Sequence, residues 1–520
     1  MVQEVEVTIL PKDLDNQEII KNKAANAARV HPSKIEEVRV RRRSIDARQH
    51  QPVFRLRVQV FVGEKYQPEP AIMDGFQNVS NKKHAIIVGA GPTGYFAALE
   101  MLELGIKPIV FDRGKMVQAR RRDLRAIQQE GEVDSNSNYC FGEGGAGTYS
   151  DGKLYTRSHK RGKIKKALQL LVEHGANSDI LIDAHPHIGS NKLPKVVANI
   201  RESILKYGGE IHFNSLVTDL IIENGQIKGV IVNDKEEHFA DATILATGHS
   251  ARDMFYLLRE KGVYLEHKPY ALGVRIEHPQ PLIDEIQYNQ KKRDENLPAA
   301  SYSLVSQVEG RGVFSFCMCP GGLVVPAATA PGEIVINGMS MSRRDSPFAN
   351  SGVVVAVEPG DFIDFIPHGP FAGLEFQKSV EQKMWQAGDG TQRAPAQLMT
   401  DFVKNETSKK TLKTSYIPDL FSAPLHELLP SGIRTRLQLG LQDFGKKMKG
   451  YFTQEAQIIG TESRTSSPLR IPRDRKTYMN HEIEGLFPAG EGAGYAGGII
   501  SAAMDGQNVA RAVAAFYKEE

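Results

Sequence analysis

The chain has 520 residues, more than one hydrophobic core usually organises, so we expect two or three domains. Its 65 basic and 62 acidic residues leave a net charge of +3, which excludes a strong overall field that would attract nucleic acid or an anionic membrane. Three cysteines cannot form a disulfide framework, and no signal peptide or long apolar segment stands out, so we expect a cytoplasmic protein without a membrane partner.

The first 80 residues show the apolar alternation and helical spacing of a small β-α-β-β unit, followed by a polar, Pro- and Gly-containing linker. In the last strand of this unit, apolar residues alternate with Arg55, Arg57 and Gln59, so one sheet face is apolar and the other is basic. The basic face is either an RNA-binding patch or a solvated surface. The even charge balance favours the solvated surface, so a nucleic-acid partner is not expected.

The next elements predict a β-α-β unit: the strand HAIIVG, the helix PTGYFAALEMLELG and the strand KPIVFD. A GxGxxG turn joins the first strand to the helix, which is the context that a dinucleotide-binding loop requires. Its glycines make the tight turn, admit a pyrophosphate and allow close packing of helix on strand. The expected binding residues are Gly89, Ala90, Gly91, Pro92, Thr93 and Gly94.

Asp112 ends the second strand of this unit, where a carboxylate can bond the ribose hydroxyls, and Arg113 follows it. A carboxylate at this position disfavours the 2′-phosphate of NADP. The motif alone does not distinguish FAD from NAD.

Two other windows fit the same glycine pattern, so the pattern alone does not identify the nucleotide-binding loop. The first, in FGEGGAGTYSDGKLY, lacks a preceding apolar strand and continues into polar residues, so it predicts a loop that faces the cofactor. The loop residues expected at the cofactor are Gly145, Ala146, Gly147, Thr148, Ser150 and Asp151.

The other window lies in GLFPAGEGAGYAGGIISAAMDGQN, which predicts a short strand, a glycine turn and a helix that begins near Gly498. This stretch resembles the closing motif of the glutathione-reductase-type flavoproteins, in which Gly-Asp or Gly-Glu approaches the ribityl chain and the next helix points at the flavin. The stretch ILATGHS resembles a second signature of the same superfamily, and Val217 occupies the position of an adenine contact. The resemblance implies FAD contacts at Val217, Ala246, Thr247, Gly248, Gly490, Glu491, Gly497, Gly498 and Ile499.

Seven motifs in order, GGAGTYSDGKL, HPHIGS, ATGHSARD, GVRIEHP, FCMCPGG, ESRTSSPLRIPRD and PAGEGAGYAGGI, are together similar to a bacterial family of uncharacterised FAD-dependent dehydrogenases. The resemblance covers nearly the whole chain. It implies an α/β fold: a Rossmann-like FAD-binding domain with a mainly parallel sheet, an inserted mixed β/α substrate domain and a small α+β N-terminal domain. We predict the N-terminal domain at 1–80, the FAD-binding domain at 81–261 and 441–520, and the substrate domain at 262–440.

The function that follows is that of an FAD-dependent oxidoreductase, which passes a hydride through flavin N5 to or from a small-molecule substrate. Residues 250–440 contain no second strand-glycine-helix unit, so there is no dedicated NAD(P)H domain, and NAD(P)H would visit only transiently as electron donor. Two alternatives stay open: an RNA-modifying flavoprotein and a non-catalytic flavin-binding regulator.

Four side chains within the family-like stretches are candidates for catalysis, namely Lys153, His187, Arg275 and Arg464. For the cations among them, structural salt bridges are an equal alternative. The HPH stretch around His187 has a spacing that could suit a metal but lacks other ligands, so we expect a substrate loop and no metal. Cys317 and Cys319 are either inert buried thiols or a redox pair.

Overall fold

The computed structural model describes residues 1–49, 51–150, 152–155, 162 and 164–519. Its N-terminal unit consists of β1 (Val2–Ile9), α1 (Gln17–Ala28), β2 (Ile35–Asp46) and β3 (Val53–Val62). The strands form an antiparallel sheet in the order β1-β3-β2, and α1 packs on one face. The predicted β-α-β-β order is confirmed.

The arginines of β3 lie on the outer face of this sheet, opposite the buried apolar residues. Arg55 forms ion pairs with Asp46 at 2.8 Å and Glu6 at 3.2 Å, and Arg57 lies 3.5 Å from Glu4. Such exposed pairs stabilise a fold by only about 0–1 kcal/mol each. They offset the positive charge of Arg55 and Arg57 on this face.

Residues 84–260 alternate between strands and helices, followed by a β-meander. The elements are β4 (His84–Val88), α2 (Pro92–Leu104), β5 (Lys107–Phe111), α3 (Val117–Gln129), α4 (Ile164–Glu173), α5 (Leu193–Lys206), β6 (Glu210–His212), β7 (Val217–Glu223), β8 (Gln226–Val232), β9 (Glu236–Phe239), β10 (Thr243–Leu245) and α6 (Arg252–Glu260). Strands β7, β8 and β9 form the meander as an antiparallel sheet of their own.

Residues 266–519 contain more strands than helices. The elements are β11 (Glu266–His267), β12 (Ala271–Pro279), α7 (Gln280–Tyr288), β13 (Val305–Val308), β14 (Arg311–Cys319), β15 (Gly322–Pro326), β16 (Ile336–Ser340), β17 (Phe348–Ala356), α8 (Ala372–Gln386), β18 (Ala394–Leu398), α9 (Met399–Lys404), β19 (Leu420–Ser422), α10 (Leu425–Leu428), α11 (Ser431–Lys447), β20 (Gln457–Glu462), β21 (Leu469–Arg470), β22 (Leu486–Pro488) and α12 (Ile499–Glu519).

Two large sheets organise these elements. The first, the parallel sheet, has the order β22-β10-β4-β5-β6, and neighbouring strands run parallel. The second, the mixed sheet, has the order β13-β14-β17-β12-β20-β18-β19 and is antiparallel except between β18 and β19. The fold is therefore α/β, with a discontinuous Rossmann-like part and an inserted mixed β/α part, as predicted.

The inserted part extends beyond residue 440, where the sequence-based boundary was placed. Strand β20 lies inside the mixed sheet between β12 and β18, with Ile458 paired to Ile276. The segment from 441 to Glu462 therefore belongs with the mixed sheet and not with the FAD-binding part. Its short apolar strand, QIIGTE, carries no local signal of which sheet it joins.

The stretch EIHFNSLVTDLII, which the sequence predicts as one strand, is divided in two. Its first residues form β6 in the parallel sheet, and its last form β7 in the meander. Asn214 lies between them in a left-handed conformation, with φ of 54°. Asn tolerates this conformation better than most residues, so the chain can turn here from one sheet to the other.

None of the helices formed by the described residues combines the length and apolarity needed to cross a bilayer.

Helices α2 and α12 pack closely at one face of the parallel sheet. Gly506 of α12 makes this possible, because a Cβ there would lie 2.1 Å from the carbonyl oxygen of Thr93. That oxygen belongs to the backbone, which cannot move without shifting the first turn of α2.

We expect Gly506→Ala to destabilise the protein by about 1–3 kcal/mol, the usual range for overpacking, despite the better helix propensity of alanine. Gly75→Ala is the matched control, because a Cβ at Gly75 would meet no atom within 4 Å. Urea denaturation followed by circular dichroism measures both variants. Equal stabilities of the two would contradict the tight contact.

Candidate functional site

Four strands of the parallel sheet end at the same level, and each is followed by a predicted cofactor segment. Leu245 at the end of β10 pairs with both Val88 of β4 and Pro488 of β22, and Val88 also pairs with Phe111 of β5. The turn at 89–94, residues 112–113, residues 246–248 and residues 490–491 therefore leave the sheet at one edge. Ligands of open α/β sheets bind at this carboxyl edge.

The turn after β4 fits only glycine at two positions. Gly89 has φ of 110°, and a Cβ there would lie 2.4 Å from the carbonyl oxygen of Ala246. A Cβ at Gly94 would lie 1.9 Å from the carbonyl oxygen of Gly89. Gly91 is different, because the nearest atom to its Cβ position is the Cα of Gly145 at 3.9 Å. The turn is thus tight where it packs and roomy at Gly91, where a pyrophosphate was expected.

Asp112 fastens this turn to the neighbouring strand. The backbone N–H of Ala90 donates to Oδ2 of Asp112 at 2.8 Å, and the N–H of Gly114 donates to Oδ1 at 2.8 Å. Each carboxylate oxygen of Asp112 retains a lone pair. Asp112 can therefore still accept a hydrogen bond from a ribose hydroxyl. Arg113 instead forms an ion pair with Asp253 and stacks 4.5 Å from the ring centroid of Phe141.

The loop FGEGGAGTYS packs against the turn, as a cofactor-facing loop would. Gly145–Gly147 forms a short 3-10 helix, and the N–H of Gly144 donates to the carbonyl of Ala90 at 2.8 Å. A Cβ at Gly147 would lie 3.3 Å from Pro92 and 3.1 Å from Ile499. Hydrogen bonds within the loop hold the rest of it: the hydroxyl of Thr148 donates to the carbonyl of Glu143, and that of Ser150 donates to the carbonyl of Gly147. Asp151 lies outside the described residues.

The C-terminal motif returns to the same place. A Cβ at Gly490 would lie 2.2 Å from Oγ1 of Thr93 in the turn. Asp505 on α12 accepts from the N–H of Gly490 at 2.7 Å and from both Nη atoms of Arg473. The guanidinium of Arg473 also donates to the carbonyl of Pro488 at 2.6 Å. This buried ion pair fixes the position of the motif relative to α12.

Open space borders the glycines that the resemblance places beside the cofactor. A Cβ built on Gly248, Gly497 or Gly498 would meet no atom within 4 Å; Gly248 is half-buried and the other two are exposed. Gly492, which follows Glu491, lies against Gly248, because a Cβ at Gly492 would lie 2.6 Å from the carbonyl oxygen of Gly248. The gap has the close-approach character that a dinucleotide cradle needs, and FAD fits these residues.

His249 and Glu491 face each other beside this gap. Nδ1 of His249 lies 3.3 Å from Oε1 of Glu491. Nε2 of His249 is buried without a hydrogen-bond partner among the described residues. Val217, the other predicted contact, is buried at the start of β7.

Arg464 is one of four charged groups in a buried cluster with Arg252, Glu333 and Glu381. Its Nε and two Nη atoms donate to Glu333, Glu381, Ser250 and Thr329, which occupies all five N–H groups. Burial alone raises the pKa of Glu381, but the positive charges of Arg252 and Arg464 lower it to about 2. Arg464 has no donor left for a substrate.

Arg275 is fully buried in the mixed sheet. Its Nε donates to Glu462 at 2.8 Å, and Nη1 donates to Asn350 at 2.7 Å and to the carbonyl of Cys317 at 3.3 Å. Arg275 thus makes the structural contacts that the sequence left open as the alternative to catalysis. Its observed contacts hold the backbone of Cys317.

Lys153, by contrast, lines a cavity of about 900 Å³. Its Nζ donates to the carbonyl of Met318, and its backbone forms a β-bridge with His187. His187 does not line the cavity, but His185, two residues earlier, does. The HPH stretch thus borders this cavity through His185 and Pro186.

Cys317 lines this cavity, whereas Cys319 is fully buried. The pairing of β14 with β17 is irregular between Phe316 and Cys319, and Cys317 has φ of 45°. The two cysteines therefore lie in an irregular part of β14. Sγ of Cys319 lies 3.3 Å from the carbonyl oxygen of Cys317.

Sequence reasoning missed several residues that support the site. Glu143 is fully buried and accepts from Tyr95, Arg201 and the N–H of Val117, beneath the glycine loop. The fully buried Arg120 binds the carbonyls of Gly142 and Glu143. Arg120 lies in the run RRR, which is typical of a solvated helix face, so only the structure identifies it.

Comparison with known proteins agrees with the site. Residues 269–465 match a family described as "FAD-dependent protein, C-terminal domain-like", residues 138–271 match an FAD binding domain, and residues 1–61 match a domain of unknown function. An "Uncharacterized protein" of Clostridium beijerinckii is 42% identical over 451 residues, covering 86% of this chain and 83% of that protein. Thiamine thiazole synthase of Aeropyrum pernix is 27% identical over 168 residues, covering 31% of this chain and 49% of that protein.

Solved structures show weaker similarity. A geranylgeranyl bacteriochlorophyll reductase-like protein of Thermoplasma acidophilum has a TM-score of 0.34 and 14% identity, covering 84% of this chain and 79% of that one. A flavin-dependent brominase has a TM-score of 0.37 and 13% identity, covering 84% and 80%. These TM-scores are too low to carry an argument about activity.

The identity to the Clostridium protein over most of both chains, together with the two FAD-related matches, establishes that this chain belongs to a family of FAD-dependent flavoenzymes.

Proposed function

We propose that the protein is an FAD-dependent oxidoreductase of the glutathione-reductase type, which transfers a hydride through flavin N5 to or from a small-molecule substrate. The observation that carries the proposal is the common edge of the parallel sheet, where the turn at 89–94 and the C-terminal motif meet beside a glycine-lined gap. NAD(P)H would serve as a transient electron donor, because residues 262–465 supply the mixed sheet and not a second dinucleotide fold.

The chain's own residues would hold FAD from two sides. The N-terminus of α2 would offer the positive end of a helix dipole to the pyrophosphate. Asp112 would accept a ribose hydroxyl, and Glu491 a ribityl hydroxyl. The bound cofactor supplies the hydride chemistry itself. Helix α12, which begins at Ile499, would stabilise negative charge on the reduced ring through its N-terminus.

The division of the chain follows from this arrangement. The N-terminal domain comprises residues 1–80, the FAD-binding domain residues 81–261 and 466–520, and the substrate domain residues 262–465. The cavity beside Lys153 lies against the substrate domain, which supplies most of its walls. Lys153 and His185 are the titratable groups that we assign to the substrate, whereas we assign structural roles to Arg275 and Arg464.

We expect Gly248→Asn to weaken FAD binding at least tenfold, which is about 1.4 kcal/mol, because the new side chain would fill the gap. Gly310→Asn is the matched control, since both glycines have a left-handed φ, 73° and 79°, and open space around the Cβ position. Asn tolerates that conformation, so backbone strain is similar in both. Fluorescence titration of the apoprotein with FAD gives the dissociation constants. Equal dissociation constants for the two variants would show that the gap beside Gly248 is not part of the FAD site.

Purified holoprotein should be bleached anaerobically by NAD(P)H or by an organic reductant and should regain its flavin absorbance with an oxidised substrate. Repeated cycling in a stopped-flow spectrophotometer would support the oxidoreductase. Flavin that stays oxidised with every candidate, while FAD remains bound, would favour the non-catalytic regulator instead.

Arg464→Gln should destabilise the protein by about 3–5 kcal/mol, because it leaves two buried carboxylates with one cation. The rate of flavin reduction per bound FAD should change little, since the guanidinium contacts only protein groups. Arg393→Gln, which breaks the exposed pair with Asp389, is the control and should cost less than about 1 kcal/mol. Thermal melts and single-turnover reduction separate the two effects. A large loss of rate in folded Arg464→Gln would make this arginine catalytic after all.

A further inference from the structure

The cavity beside Lys153 is assembled from distant parts of the chain. Its walls come from the segments 153–155 and 185–186, from residues 301–304 and 315–320 around β14, and from residues 447–449 after α11, with Arg344 from the loop before β17. Its volume of about 900 Å³ is within the range of small-molecule sites. The cavity is therefore large enough for an organic ligand, not only for an ion.

The charged side chains of the wall are all of one sign. They are Lys153, Arg344, Lys447 and Lys449, joined by the titratable His185. Among the lining residues, all of which the structure describes, there is no Asp or Glu. Lys447 has an ion-pair partner outside the wall, Asp443 at 2.8 Å, and Lys153 donates to the carbonyl of Met318. This concentration of cations contrasts with the even balance of the chain as a whole.

His185 lies in a positively charged environment. The surrounding protein lowers the pKa of His185, first by burial and then through the positive charges of Arg344, Arg42 and Lys153. Arg42 belongs to the N-terminal unit. Its neighbour Arg43 fastens that unit beside the cavity through ion pairs with Asp183 at 2.7 Å and Asp179 at 3.1 Å. Cations from three parts of the chain therefore lower the pKa of the same histidine.

The remaining lining residues would suit the rest of an organic molecule. Hydroxyl and amide groups offer hydrogen bonds from Ser301, Ser303, Ser315, Gln287 and Asn289. Apolar surface is supplied by Ile286, Leu304, Met318 and the ring of Tyr302. Tyr155 packs against His185, with ring centroids 5.1 Å apart. Cationic groups with apolar and neutral polar surface between them match an amphiphilic anion.

We propose that this cavity binds a small organic anion, a molecule that carries phosphate or carboxylate groups on an organic body. The binding of anions follows from the cavity alone. The further step, that this anion is the substrate of the oxidoreductase, rests on the proposed function.

The test uses the FAD-loaded protein, so that the cofactor site is occupied, and inorganic pyrophosphate as the probe. Isothermal titration calorimetry at neutral pH and low ionic strength should give a Kd tighter than about 1 mM, weakening as salt is added. Lys449→Gln and Arg344→Gln should each weaken binding about tenfold. Lys235→Gln, in the exposed turn between β8 and β9, is the matched control and should bind as the unmodified protein does.

Absence of binding to the holoprotein, or equal Kd values for all variants, would overturn the proposal. The flavin spectrum and melting temperature of each variant show whether it is folded, and either of the two cavity variants suffices for the comparison. Calorimetry does not depend on flavin reduction, so a negative result here leaves the oxidoreductase proposal standing, and failure of flavin cycling leaves anion binding intact.

Discussion

The structure depends on one constraint, the common level at which the strands of the parallel sheet end. Backbone hydrogen bonds set this register: Leu245 can pair with Val88 and Pro488 only if β10 lies between β4 and β22 in parallel. Residues separated by some 400 positions in sequence then leave the sheet side by side. Neither segment forms a cradle alone, since each supplies only one wall of the gap. Strand pairing thus sets the position of the cofactor site, and the turns that follow the strands supply its functional groups.

The glycines of these turns serve two different purposes. At Gly89, Gly94 and Gly490 a Cβ would collide with backbone or with the first turn of α2, so these residues allow the protein to pack on itself. At Gly248 and Gly498 a Cβ would enter empty space, so packing does not explain them. An identical sequence pattern therefore encodes both internal fit and ligand access. Only the three-dimensional structure distinguishes a packing glycine from a ligand-facing glycine, because the difference depends on which atoms lie opposite each residue.

Sequence reasoning was accurate where the signal is local. The unit formed by β4, α2 and β5 and the C-terminal helix α12 follow from apolar runs bounded by glycine, and the structure has them as predicted. It could not decide between alternatives where a residue's role depends on partners far along the chain. For Arg464 the sequence left catalysis and a structural salt bridge equally open, and the carboxylate partners of Arg464 come from residues 333 and 381. The boundary at 440 was misplaced for a related reason. The sequence of β20 does not show which sheet the strand joins, and only its pairing with β12 does.

The distribution of charge extends this argument. Buried arginines such as Arg464 and Arg473 are each matched by carboxylates, because an unpaired charge in the interior is costly. The exposed arginines of β3 are matched as well. The wall of the cavity differs from these pairs, because Lys153, Arg344 and Lys449 line it together and none of its lining residues is acidic. Like charges gathered around one cavity repel one another. An anion bound in the cavity would relieve that repulsion, which is why the charge pattern points to a ligand.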